Sequence, residues 1–257
     1  YDFLALSEHF MEQYDFPVAD STPYRSKDFT TLISAELHVP ETQVGEIWHI
    51  LAVGLPLDFA PPINGETGPE IASRAAKAGA FIGIVHPSWY GLTLEDARSI
   101  ACAHGIEIYN HGSHVEVDRG SDWGFCDSLL NEGWRLSGFA TDDAHHMTHD
   151  SFGGWVQVHA SNLDPDEIVQ SLKAGRYYSS QGPEILDVRI SESHVDIDCT
   201  PVDFVSAVGR GALSVQKNGE GMTHCRLPLS RFKDSYFRIT LRDAQDRRAW
   251  TNPIWRD

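Results

Sequence analysis

The run Gly138-Phe139-Ala140-Thr141-Asp142-Asp143-Ala144-His145-His146-Met147-Thr148-His149 sets two carboxylates and three histidines directly behind a short apolar stretch, Leu136 to Ala140. Carboxylate oxygen and imidazole nitrogen together suit zinc, manganese or iron, and the lack of cysteine argues against a purely structural thiolate site. The same arrangement recurs upstream. Phe3 to Leu6 leads to Glu8 and His9, Leu32 to Ala35 to Glu36, Ala80 to Val85 to His86, and Ile106 to Tyr109 to Asn110. His49 lies inside the apolar run Ile47 to Val53, where an imidazole must find a hydrogen-bond partner or bind something. Taken alone, each histidine is as readily a core residue and each carboxylate a surface one. Their shared place at strand ends is what points to a ligand set.

Such positions need alternating strands and helices behind them. Thr67, with Pro69 and Glu70 in the first turn, starts a helix that Gly79 ends, and Thr93 with Asp96 starts one that stops at Gly105. A further helix is expected from Trp123 to Asn131, and Asp164 with Glu167 starts one that Gly175 ends. Strand–helix alternation implies parallel strands with crossover helices, whose chemistry collects at the carboxyl ends of the strands. His9, Glu36, His86 and Asp143 lie at or near those ends. After Gly182-Pro183 the pattern becomes strict alternation, as in Leu186, Val188 and Ile190 or Phe237, Ile239 and Leu241, which means half-buried antiparallel strands. Two domains are expected: an α/β domain over 1–182 and a small β-sandwich-like domain over 183–257.

Composition narrows the function classes. The net charge of −17, from 37 acidic and 20 basic residues, speaks against a nucleic-acid-binding surface. No run is long and apolar enough to span a membrane. Cys102, Cys126, Cys199 and Cys225 form no Cys-x-x-Cys pair, and Cys102 and Cys126 fall in expected helices as buried free thiols, so a cytoplasmic setting is expected. A small-molecule substrate is the expected partner, and the sequence does not fix an oligomeric state.

Taken together, Phe3-Leu4-Ala5-Leu6-Ser7-Glu8-His9, Glu36, His49-Ile50-Leu51, His86-Pro87, Ile106-Glu107-Ile108-Tyr109-Asn110 and Asp142-Asp143-Ala144-His145 resemble the PHP (polymerase and histidinol phosphatase) superfamily of metal-dependent hydrolases in order and approximate spacing. The tail around Ala249-Trp250-Thr251-Asn252-Pro253-Ile254 resembles the β appendage of the carbaryl-hydrolase-type branch. The resemblance implies a distorted (β/α)7 barrel, of TIM-like kind, with two to three divalent ions (zinc, manganese or iron) at its mouth. Carried over by position, Glu36 bridges two ions, His49 and His86 complete the second, Asp143 joins Glu36 on the first, and His9 and His145 serve the third. The family's His-x-His is absent and its Asp-His is Glu8-His9 here. With Tyr1 opening inside a strand and without Met, an N-terminal segment carrying the missing strand is expected.

Clustered cations suit hydrolysis because they lower the pKa of bound water to about 7 and neutralise charge on the substrate oxygen. Glu36 and Asp143 are therefore the catalytic candidates, and Arg25, Lys27 and Asn110 the substrate-binding ones. A phosphoesterase acting on a small phosphorylated molecule is the first expectation. A carbamate, ester or amide hydrolase is the second, and a non-catalytic binding or scaffold protein the third.

Overall fold

The computed structural model describes residues 1–146 and 148–256. Its elements begin with strands β1 (Phe3–Phe10), β2 (Thr30–Leu37) and β3 (Ile50–Val53), helix α1 (Gly68–Lys77), β4 (Phe81–Ile84), short helices α2 (Pro87–Tyr90) and α3 (Leu94–Ser99), and β5 (Gly105–Asn110). Helices α4 (His111–Val117) and α5 (Trp123–Asn131) follow, then β6 (Ser137–Thr141), β7 (Trp155–Val158), α6 (Pro165–Lys173) and β8 (Tyr177–Ser180). The rest is strand: β9 (Ile185–Ile190), β10 (His194–Gly209), β11 (Ser214–Pro228), β12 (Tyr236–Arg242), β13 (Arg248–Thr251) and β14 (Ile254–Trp255). The chain divides into two units, Tyr1–Glu107 with Val158–Arg176, and Ile108–Gln157 with Tyr177–Asp257.

The expected (β/α)7 barrel with a small β-sandwich appendage is not what forms. Strand makes up 37% of the chain and helix 20%, the reverse of what a ring of crossover helices requires. The strands lie instead in two curled sheets, each a half-barrel. Within the first unit the strand order is β1-β2-β3-β4-β5. The β1–β2 and β4–β5 pairs are parallel, but β3 is antiparallel to both its neighbours. No helix lies between β2 and β3, and a chain that turns back without a crossover pairs antiparallel. In the second unit, β7 and β8 do not close a barrel but extend the C-terminal strands in the order β11-β10-β12-β13-β8-β7, with Ser180 of β8 opposite Ala249 of β13. The change of pattern at Gly182-Pro183 therefore falls inside one sheet.

Local signals were read correctly where the helices start. Thr67 and Glu70 form a capping box on α1, Thr93 and Asp96 form one on α3, and Asp164 accepts the Glu167 N–H at 3.0 Å on α6. Each such cap is worth about 1 kcal/mol. Helix α3 stops at Ser99 rather than continuing to Gly105, where β5 begins.

The frame of the first unit is apolar. Leu32, Ala35, Leu37, Ile50, Ala52, Ile82, Ile84 and Ile106 are buried on neighbouring strands, and α1 contributes Ile71, Ala72 and Ala75. Each large aliphatic side chain buried this way contributes about 1.5–3 kcal/mol. Gly68 opens α1 against the indole of Trp48, where a Cβ would lie 2.4 Å from the ring. In the second unit Val195, Ile197, Val205, Phe237, Ile239 and Leu241 form the core, the inward set of each alternating strand. Among the described residues no helix is long and apolar enough to cross a membrane.

Candidate metal centre

The parallel register of β1 and β2 sets His9 opposite Glu36. His38 follows Glu36 by two residues, the period that returns a side chain to the same face of an extended chain. The reversed direction of β3 does the rest. Leu37 pairs with Ile50 and Ile50 with Ile84, so His49, just before β3, comes beside the carboxyl ends of β2 and β4. The expectation that His49 sits within a strand is thereby corrected: it precedes one. His86 follows β4 in a left-handed conformation, φ 30° and ψ 51°. Pro87 disfavours the right-handed helical region for the residue before it. A non-glycine residue held there costs on the order of 1–3 kcal/mol, and such strain gathers at functional sites.

These four imidazoles surround one carboxylate. Glu36 Oε1 lies 2.8 Å from His49 Nδ1 and 3.3 Å from His86 Nε2. Its Oε2 lies 2.9 Å from His9 Nδ1 and 3.4 Å from His38 Nε2. The donor atoms fall into two sets, His9–Glu36–His38 and Glu36–His49–His86, each within 4.8 Å of one another. His38 Nδ1 lies 2.9 Å from the Trp48 carbonyl, which only accepts, so that nitrogen carries a proton and Nε2 is turned toward Glu36 and toward His9 Nδ1, 2.8 Å away. Imidazole nitrogens and carboxylate oxygens gathered this closely are an arrangement that a cation resolves. The residues present therefore fit a pair of divalent ions, with Glu36 shared between them.

Burial alone would push the Glu36 carboxyl up, but His38, His49, His86 and His9 more than offset that and hold it well below the usual carboxylate range. Burial lowers His49 despite Glu36 beside it, keeping it a neutral ligand-type imidazole. Burial acts downward on His86 too, yet Glu107 and Glu36 on its two sides raise it well above the usual histidine range. Glu36, His38, His49 and His86 are buried, whereas the His9 side chain is 34% exposed, so the centre opens to solvent on the β1 side. Two exposed aromatics flank it. Trp89 sets its ring 5.5 Å from both His49 and His86, and Tyr14 stacks on His9 at 6.3 Å.

Asp143, His145 and Asn110 belong to the second unit, where Asn110 Nδ2 donates to Asp143 Oδ2 at 3.0 Å. Asn110 Oδ1 also caps α4 by accepting the Ser113 N–H at 2.7 Å. Asp143 takes a left-handed φ of 50°, and His145 Nδ1 bonds the Asp143 carbonyl at 2.9 Å on an exposed loop. The neighbouring Asp142 accepts the backbone N–H groups of Phe152, Gly153 and Gly154 and so closes that loop. Arg25 Nε donates to the Thr31 carbonyl at 3.1 Å, and Lys27 is exposed.

Two participants stand outside the expected set. His38 is two residues from Glu36, the spacing of a shared face, and Glu107 between Ile106 and Ile108 carries the signal of a buried polar group. Comparison of the chain with models of protein families, with curated proteins and with solved structures gives no match.

Proposed function

We propose that this protein is a metal-dependent hydrolase built on Glu36, acting on a small phosphorylated molecule. The observation that carries the reading is the division of one carboxylate between two imidazole pairs, His49 and His86 on Oε1 and His9 and His38 on Oε2. That is the arrangement of a carboxylate that bridges two cations. A bound pair of divalent ions supplies an activated water at neutral pH and neutralises charge on the substrate oxygens. The chain's own part is to fix the donors. The Trp48 carbonyl orients His38, and the buried setting of His49 and His86 keeps water from competing for their nitrogens. One carboxylate and four imidazoles leave two divalent ions with an excess of positive charge, which the oxygens of a phosphate ester balance. The order Glu36, His49, His86 is in keeping with the chemistry of PHP hydrolases, though not with their barrel. The test is turnover of a panel of phosphate esters by the full chain reconstituted with zinc, manganese or iron. Activity lost on Glu36→Ala supports the reading, and a metal-loaded protein inert toward the whole panel rejects it.

A second reading keeps the centre and changes the bond, to a carbamate, ester or amide. It is favoured by the engagement of Arg25 with Thr31 and by the exposed rings of Trp89 and Tyr14 beside the ligands. Turnover of aryl carbamates or esters without phosphatase activity selects it. A chain that takes up no stoichiometric metal is instead a binding or scaffold protein.

A further inference from the structure

The structure assigns to Glu107 a positioning role: its carboxylate holds both the backbone and the ring of His86, so that Nε2 is the atom this imidazole offers to a cation. The inference rests on the metal reading above. Glu107 is 1% exposed on β5, between Ile106 and Ile108, which are fully buried. A carboxylate so placed persists only with strong partners, and His86 approaches it twice. Glu107 Oε2 accepts the His86 backbone N–H at 2.6 Å, and the same oxygen lies 3.4 Å from His86 Nδ1.

An ionised carboxylate has only acceptors to offer. The ring nitrogen facing it, Nδ1, therefore keeps its proton, which leaves Nε2, 3.3 Å from Glu36 Oε1, as the nitrogen that can yield a proton to a cation. The backbone bond matters equally. His86 sits at φ 30°, where a side chain is rarely stable, and the N–H held by Glu107 belongs to that same residue. Without the carboxylate the turn is free to relax and the ring free to flip, which would turn Nδ1 rather than Nε2 toward Glu36. Glu107 thus acts through His86 and touches no cation itself, the relation by which an outer carboxylate sets the tautomer and orientation of a ligating histidine.

The experiment uses the full chain as wild type, Glu107→Gln and Glu107→Ala. Zinc affinity is measured by competition with a chromophoric chelator, apo melting is recorded in parallel, and long-range nitrogen–proton spectra of the imidazoles report the His86 tautomer. In zinc-loaded wild type, His86 is expected as the Nδ1–H tautomer. Glu107→Ala is expected to weaken zinc binding about 10–100-fold, and Glu107→Gln, which retains an acceptor oxygen, to recover part of that loss. An Nε2–H tautomer in the loaded wild type overturns the role without any variant. Variants that melt lower yet bind zinc as tightly as wild type overturn it too, because they reduce Glu107 to a purely structural residue. A wild-type chain that takes up no zinc overturns the metal centre and this role with it, and is told apart from the other outcomes in the first titration.

Discussion

Glu36 Oε1 lies 2.8 Å from His49 Nδ1, across thirteen residues of chain, because β3 runs against β2 and brings its first residues to the strand end where Glu36 stands. A parallel β3 would put His49 at the opposite, amino-terminal end of β2. The two halves of the centre should therefore be separable. Alanine at His49 or His86 is expected to lower metal uptake from two equivalents to one, with His9 and His38 still engaged. Equilibrium dialysis with elemental analysis checks this, and loss of both equivalents would mean that the halves are not independent.

His9 stands on the open side of the centre. Its side chain is 34% exposed on β1, while its partner His38 is buried and held by the Trp48 carbonyl. His9→Ala should leave the melting temperature nearly unchanged, since little apolar surface is lost, and weaken the second equivalent alone. His38→Ala should destabilise the apo protein as well, because it leaves a buried carbonyl without its donor, at about 1–3 kcal/mol.

Gly68→Ala probes how the frame supports the site. The added Cβ would meet the Trp48 ring at 2.4 Å, and the indole is packed rather than free to swing. Overpacking of this kind costs about 1–3 kcal/mol. Because the Trp48 carbonyl fixes His38, the variant should also bind metal more weakly. A lowered melting temperature with unchanged metal affinity would show that the strain stays local.

His104 predicts an acid sensitivity separate from the metal centre. Its Nδ1 accepts the Ile82 N–H at 3.0 Å, and burial, with Lys173 nearby, lowers its pKa from the ordinary 6.5. Here the unfolded chain binds the proton more readily than the folded one. The contribution is therefore full above pH 6.5 and is lost as pH falls from there through the depressed folded value. Denaturant midpoints of wild type should fall more steeply below that pH than those of His104→Gln. Equal slopes would remove His104 from the acid response.

Trp89 separates the substrate readings. If an aryl carbamate or ester is turned over, Trp89→Ala should raise its KM by about 2–10-fold with kcat little changed, as expected for an aromatic contact of about 0.5–1.5 kcal/mol. A phosphate ester without a ring should be unaffected. Equal effects on both substrates would assign Trp89 to packing of His49 and His86 instead.

The sequence made some of this legible for physical reasons and hid the rest for others. Glu36 and His86 could be read because strand ends and helix caps are local signals. His49 was expected in mid-strand and instead precedes β3, because the direction of β3 is set by its pairing with β2 and β4 and leaves no mark in residues 47–53. The expected barrel fails for the same reason: apolar runs such as Ala80 to Val85 announce a buried strand but not its partner, and Tyr177–Ser180, before the change of pattern at Gly182-Pro183, pairs with β13 beyond it. His38 and Glu107 are legible in the strand period, one two residues from Glu36 and the other between two buried isoleucines. Asp143, His145 and Asn110 sit in a different unit from Glu36, a division that no local pattern announces.

The most direct test is metal stoichiometry of the purified full chain, by isothermal titration with zinc and with manganese, in wild type and Glu36→Ala. The shared position of the Glu36 carboxylate predicts two equivalents in wild type and neither of them at comparable affinity in the variant, with both proteins folded by circular dichroism. A wild type that binds no metal, or a Glu36→Ala protein that still binds two equivalents as tightly, would contradict it.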